Sequence, residues 1–175
     1  VRDWRRQVVA FATIALASAA SAHSASDAYL TLDVDSPSVA HLQWDIALRD
    51  LDFVMRLDDD GDGRITWQEL RHHQEAIGRY ALAHIAFRRG DARCTTRLAR
   101  QLVADHADGA YAALFVDIAC PRSSEPLTLD YRLFFAIDPS HRAILVSREA
   151  GQAATALLSP ENATVRLSAS GGSPR

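Results

Sequence analysis

The stretch Leu30-Thr31-Leu32-Asp33-Val34-Asp35-Ser36-Pro37-Ser38-Val39-Ala40-His41-Leu42-Gln43-Trp44-Asp45-Ile46-Ala47-Leu48 decides the fold class. Its apolar residues recur at every second position: Leu30, Leu32 and Val34 first, then Leu42, Trp44, Ile46 and Leu48. A period of two sends alternate side chains to one face of a strand, and Asp35-Ser36-Pro37-Ser38 is turn chemistry. The stretch therefore reads as a strand pair with one buried and one wet face.

The same period returns after residue 85. Ile85 to Phe87 leads into an Arg89-Gly90-Asp91 turn, Leu98 to Ala104 alternates weakly, and Asp108-Gly109 is a hairpin signal. Ala112, Leu114, Val116, Ile118 and Cys120 then share one face, and Leu127, Leu129, Tyr131, Leu133, Phe135 and Ile137 read as one long strand ending at Asp138-Pro139-Ser140. Ile144 to Ser147, Ala154 to Leu158 and Thr164 to Leu167 are shorter strands. Roughly eight to nine strands, with turns about every ten residues, predict a mainly β fold, an antiparallel sandwich.

Between the first strand pair and the rest, the period becomes helical. Leu51, Val54 and Met55 fit a short helix over about residues 50–57, and Trp67, Leu70, Ile77, Tyr80, Ala81 and Ile85 fit a longer one over about 66–82. The connection, Asp58-Asp59-Asp60-Gly61-Asp62-Gly63-Arg64-Ile65-Thr66-Trp67-Gln68-Glu69, has the spacing of an EF-hand calcium loop. Asp58, Asp60 and Asp62 stand at positions 1, 3 and 5 and Glu69 at position 12, where both carboxylate oxygens can close the shell. Arg64 at position 7 would offer only its main-chain carbonyl, and Thr66 at position 9 a hydroxyl or a held water. Gly63 permits the sharp turn, and Ile65 is the apolar pin. With six positions fixed, a chance match in such a chain is on the order of one in 10^5, so a merely acidic, solvated turn is the weaker reading. These residues predict an EF-hand helix-loop-helix inserted at about 50–86, with Ca2+ as its ion.

No second calcium loop or internal repeat accompanies it. A solitary loop braced by a β-domain points to modest affinity, about 10^-4 to 10^-3 M as in extracellular modules. Whether the ion staples the domain or shapes a surface for a partner is open at this level.

Composition bounds the rest. The chain has 175 residues, 48% of them apolar, enough for one core. All 19 basic residues are arginine and they are scattered, with a net charge of −3, so there is no electrostatic footprint for nucleic acid. Residues 1–22 read as a secretory signal: Arg2, Arg5 and Arg6 open it, Val8 to Ala20 is apolar, and Ala20-Ser21-Ala22 suits cleavage. Removing this segment takes away three arginines and Asp3, leaving 16 basic and 21 acidic residues. The expected product is a mildly acidic periplasmic or secreted domain over 23–168, with a disordered tail at 169–175 and no later membrane-spanning segment. Cys94 and Cys120 are an even pair, most simply a disulfide in an oxidising compartment; buried thiols or an incomplete metal pair are the other readings.

Catalysis finds little footing. There is no G-x-S-x-G, and the clustered carboxylates lie in the loop where an ion would claim them, so a non-enzymatic protein is expected. Among seven histidines, His72 and His73 are neighbours on the predicted second helix, where adjacent side chains diverge and do not readily share one ion. His41 and His84 read as structural. His23 would become the amino terminus after cleavage at Ala22, where amine and imidazole together could chelate copper or nickel. A metal-handling accessory protein is thus the alternative function.

Several stretches resemble a known family: Ala22-His23, Ser26-Asp27-Ala28-Tyr29-Leu30-Thr31-Leu32, Trp44-Asp45-Ile46-Ala47-Leu48-Arg49-Asp50-Leu51-Asp52, and the loop running into Ile65-Thr66-Trp67. They are similar to the exported amino-terminal region of bacterial membrane proteins of the HupE/UreJ type, with Cys94, Cys120 and Asp138-Pro139-Ser140-His141-Arg142 falling in similar places. The resemblance covers most of the chain beyond residue 22. It implies an extracytoplasmic module carrying the calcium loop and a bacterial membrane protein as partner. Nickel transport belongs to the membrane domain that often follows such a region, and is not carried over.

Overall fold

A computed structural model describes residues 26–167. The expected signal at 1–22, His23 and the tail at 169–175 lie outside the described residues.

The fold is mainly β, built from two sheets. β1 (Asp27–Ser36) and β2 (Val39–Ala47) form the expected antiparallel pair, with Leu30 opposite Trp44 and Leu32 opposite Leu42. β2 ends one residue earlier than the alternation suggests. Leu48, read as strand, instead begins α1 (Leu48–Met55), and α2 (Trp67–Ala83) follows the acidic connection. A helix-loop-helix unit therefore stands between the second and third strands, as expected. Then come β3 (Ile85–Arg89), β4 (Ala92–Arg93), β5 (Thr95–His106), β6 (Gly109–Ala119), β7 (Leu127–Tyr131), β8 (Arg142–Glu149), β9 (Gln152–Leu158) and β10 (Thr164–Leu167).

The larger sheet runs β5-β6-β2-β1-β8-β9 and the smaller β10-β7-β3-β4. Among the described residues all strand pairings are antiparallel but one. β1 and β8 run parallel, Asp27 beside Arg142 and Val34 beside Glu149, so the first strand lies between its hairpin partner and a late one. Inward residues of both sheets meet in one core: Leu30, Leu42, Trp44, Leu114 and Leu145 from the larger, Phe87, Leu129 and Tyr131 from the smaller. Trp44 meets Tyr131 edge-on, with ring centroids 5.6 Å apart.

The long strand expected over Leu127 to Ile137 is a correction. It stops at Tyr131, because its neighbours stop there: Tyr131 pairs with Ile85, where β3 begins, and Asp130 with Thr164, where β10 begins. Without a ladder partner, residues 133–137 form turns closed by Ile137 N–H and Asp138 N–H onto the Phe134 carbonyl. Phe134 has a φ of 61° there and remains buried beside Leu133. β5 alternates weakly because it is a sheet edge, carries a register shift between Leu98 and Arg100, and exposes Leu102 and Val103.

Cys94 and Cys120 are joined, spanning 26 positions. The bond sits where β4 gives way to β5, just past the Thr95–Ala119 pair, and so fastens the β3–β4 hairpin to the β5–β6 edge. Chain entropy alone makes a closure of this length worth about 3.5 kcal/mol. A disulfide is consistent with export. Among the described residues no helix is long and apolar enough to cross a membrane.

Both helices anchor the connection between them to the core. α1 buries Leu48 and Leu51, α2 buries Leu70, Ile77 and Ala81, and Leu57 and Ile65 pack the loop itself inward. At Gly78, α2 lies so close to β5 that a Cβ would come within 2.7 Å of the Leu98 Cδ2. Trp67, expected on the apolar stripe, is more than half exposed.

Candidate metal centre

The loop is shaped by its own carboxylates. The Asp58 carboxylate accepts N–H bonds from Gly61 at 2.8 Å, Asp62 at 3.2 Å and Gly63 at 2.8 Å, which curls residues 58–63 into a ring. Asp60 Oδ1 accepts from Asp62 N–H at 3.1 Å, and Asp62 Oδ1 from Arg64 N–H at 2.8 Å. The curl needs positive φ at Gly61 (74°) and Gly63 (80°), a conformation that an L side chain strains. These N–H donors, Gly63 first, hold the Asp58 carboxyl below its usual range.

Glu69 closes the ring from α2. Thr66 caps the helix, its hydroxyl oxygen accepting Glu69 N–H at 3.3 Å, while the Glu69 Oε2 accepts Thr66 N–H and the Thr66 hydroxyl, both at 2.7 Å. This reciprocal capping box satisfies donors that a helix start leaves open. Oε1 reaches back to Asp59 N–H at 2.9 Å. Glu69 is only 8% exposed, and its hydrogen bonds, Thr66 N–H foremost, hold its carboxyl below the usual glutamate range.

Of the six residues predicted from spacing, Asp58, Asp60 and Glu69 bring a carboxylate oxygen each within 4.8 Å of one another. Asp62 turns Oδ1 onto the Arg64 N–H, and the Thr66 hydroxyl donates to Glu69. The side chain of Arg64 is exposed and, among the described residues, forms no ion pair with these acids. Among the described residues no arginine or histidine forms an ion pair with Asp58, Asp60, Asp62 or Glu69, although the chain is rich in arginine. Three carboxylates gathered without a cationic side chain fit a hard divalent ion with oxygen ligands.

Asp52 escaped the sequence reading. Its Oδ1 accepts N–H bonds from Leu57 at 2.7 Å and Asp58 at 3.0 Å, while its carbonyl accepts from Arg56, whose φ of 53° turns the chain out of α1. The signal was present: an acid in the last turn of a helix opposes the helix dipole and needs a compensating reason. Here the reason is the aim of the loop.

His72 and His73, expected not to share one ion readily, do meet on one carboxylate. His72 uses Nδ1, close to its backbone, and His73 uses the far Nε2; both reach the two oxygens of Asp59, at 3.0 and 2.9 Å. Asp59 lies over the gap between them, so unequal reach offsets the angular divergence. The two imidazoles, His72 first, hold the Asp59 carboxyl below its usual range.

No protein-family profile matches this chain, and no curated protein matches its sequence. The chemistry of the site therefore rests on the residues themselves. They offer a ring of hard oxygen donors on a loop fixed at both ends. Beside it, Asp59, Asp60, Thr66, Gln68, Glu69 and His72 line a cleft that leads from the ring to the histidines.

Proposed function

We propose that the protein is an exported, non-enzymatic calcium-binding module with one EF-hand loop. Asp58, Asp60, Asp62 and Glu69 would hold Ca2+ by carboxylate oxygens, Arg64 by its carbonyl, and Thr66 by its hydroxyl or a bound water. The observation that carries this reading is the unpaired carboxylate ring: Asp58, Asp60 and Glu69 converge within 4.8 Å, with no cationic side chain among the described residues to balance them. A dication supplies that balance.

The role favoured is stabilisation of the domain. Asp52 aims one end of the loop, the Thr66–Glu69 capping box fixes the other, and Leu57 and Ile65 root it in the core. An ion bound there is coupled to the packing of both helices. A second reading, that calcium shapes a surface for a membrane-bound bacterial partner, draws support from Phe53 on α1 and Trp67 on α2, which stand 81% and 54% exposed at the two ends of the loop. A periplasmic or secreted location accords with the Cys94–Cys120 disulfide and with the signal-like residues 1–22.

Calorimetric titration of the purified, correctly processed protein with CaCl2 tests this reading. One equivalent is expected to bind, and Glu69→Gln to abolish it. Absence of calcium binding, together with copper or nickel binding that requires a free His23 terminus, would replace it with the accessory metal-handling function.

A further inference from the structure

We propose that Asp59, His72 and His73 form a second metal site, selective for a borderline divalent transition ion such as Zn2+, on the flank of the acidic ring. A carboxylate oxygen of Asp59 and one ring nitrogen of each histidine all lie within 4.8 Å of one another. The nitrogen to oxygen distances of 3.0 and 2.9 Å are near the edge of a coordination tetrahedron, about 3.3 Å for bonds of about 2.0 Å. A small outward movement of the carboxylate opens the centre to an ion. Two imidazoles and one carboxylate, with a fourth position for water, are the ligand set of open zinc sites, whereas calcium has no use for nitrogen donors.

The division of labour within the loop supports a separate ion. Asp58, Asp60 and Asp62 turn their oxygens onto the loop's own N–H groups, while Asp59, between them, turns both of its oxygens out towards α2. The backbone of Asp59 is held by its N–H bond to Glu69 Oε1, and the histidines are held by the helix, so the ligands are positioned before an ion arrives. Charge points the same way. Residues 58–69 carry five acids and one arginine, a net of −4, and one Ca2+ would still leave −2. His73 is mostly buried and His72 is exposed, which places the site at the surface with one side open to solvent.

The site shares no side-chain ligand with the calcium ring; the Asp59 N–H rests on Glu69 Oε1, an acceptor that glutamine retains, so Glu69→Gln separates the two. The test is a Zn2+ titration of untagged protein in excess calcium, followed by calorimetry and by NMR of the histidine rings. One equivalent is expected with a dissociation constant in the micromolar range or below, weakened by more than about tenfold in His72→Ala/His73→Ala and in Asp59→Asn, and kept in Glu69→Gln. In the wild type, Zn2+ should shift the ring signals of His72 and His73 and leave those of His84 and His141 in place. Millimolar affinity in the wild type, or ring shifts elsewhere than at this pair, would overturn the proposal. So would zinc binding that survives loss of both histidines but not Glu69→Gln, since the ion would then sit in the acidic ring.

Discussion

Tyr131 donates a 2.8 Å hydrogen bond to Nε2 of His141 in the seam where the two sheets meet. The other ring nitrogen, Nδ1, lies 2.7 Å from the Ser26 hydroxyl, which donates in turn to Asp50 at 2.9 Å. Because the serine proton goes to Asp50, Nδ1 carries the imidazole proton and Nε2 accepts from the phenol. The relay thus fits a neutral imidazole, and it ties the start of β1 and the helix α1 to the ends of β7 and β8.

This relay makes stability depend on pH. His141 is fully buried, and burial pushes its pKa down from 6.5 to about 4. Between those values the unfolded chain binds a proton that the folded chain refuses, so stability falls as pH drops through this window. Its full extent is worth roughly 3 kcal/mol. Urea unfolding at pH 7 and pH 4.5 should show a steeper loss for wild type than for His141→Gln; equal losses would remove His141 as the cause.

Calcium should raise the melting temperature by mass action. At a free ion level tenfold above the dissociation constant, binding adds about 1.4 kcal/mol, or about 4 °C for a domain of this size. Differential scanning calorimetry with CaCl2 and with EGTA reads this directly. Glu69→Gln should melt at one temperature in both.

Asp52→Ala should loosen the loop without touching a proposed ligand. It strands the N–H groups of Leu57 and Asp58, both held by its Oδ1, at an expected cost of about 1–3 kcal/mol where water cannot replace them. Calcium affinity should fall as well, since Asp58 opens the ring. Unchanged affinity by calorimetry would mean that Asp52 serves α1 alone.

Reducing Cys94–Cys120, or replacing both with alanine, should destabilise the domain by about 3.5 kcal/mol in chemical denaturation. The calcium stoichiometry of the folded protein should stay at one, because the bond lies far along the chain from the loop.

Much of this architecture is legible because alternation reports burial directly. Leu30 to Ile46, Ala112 to Cys120 and the Asp58–Glu69 connection each declare a local geometry. What alternation cannot report is which strands adjoin. The parallel β1–β8 pair leaves no local mark, and Leu133, Phe135 and Ile137 continue a strand pattern although β3 and β10 offer nothing to pair with. The Asp59 bridge is hidden for a different reason: angular separation on a helix carries no trace of the unequal reach of the two imidazole nitrogens.

The parallel pairing of β1 with β8 also governs when this molecule can fold. Residues 27 and 142 are neighbours in the larger sheet, so a chain emerging from its amino end holds β1 with only its hairpin mate until residue 142 has followed. Distant pairings of this kind must meet the entropy of closing a long loop before they return any stability, and they fold slowly. An incomplete chain keeps an open hydrogen-bonding edge on its first strand. If the chain crosses a membrane as an extended thread, this order delays compaction of the larger sheet until residue 142 has followed.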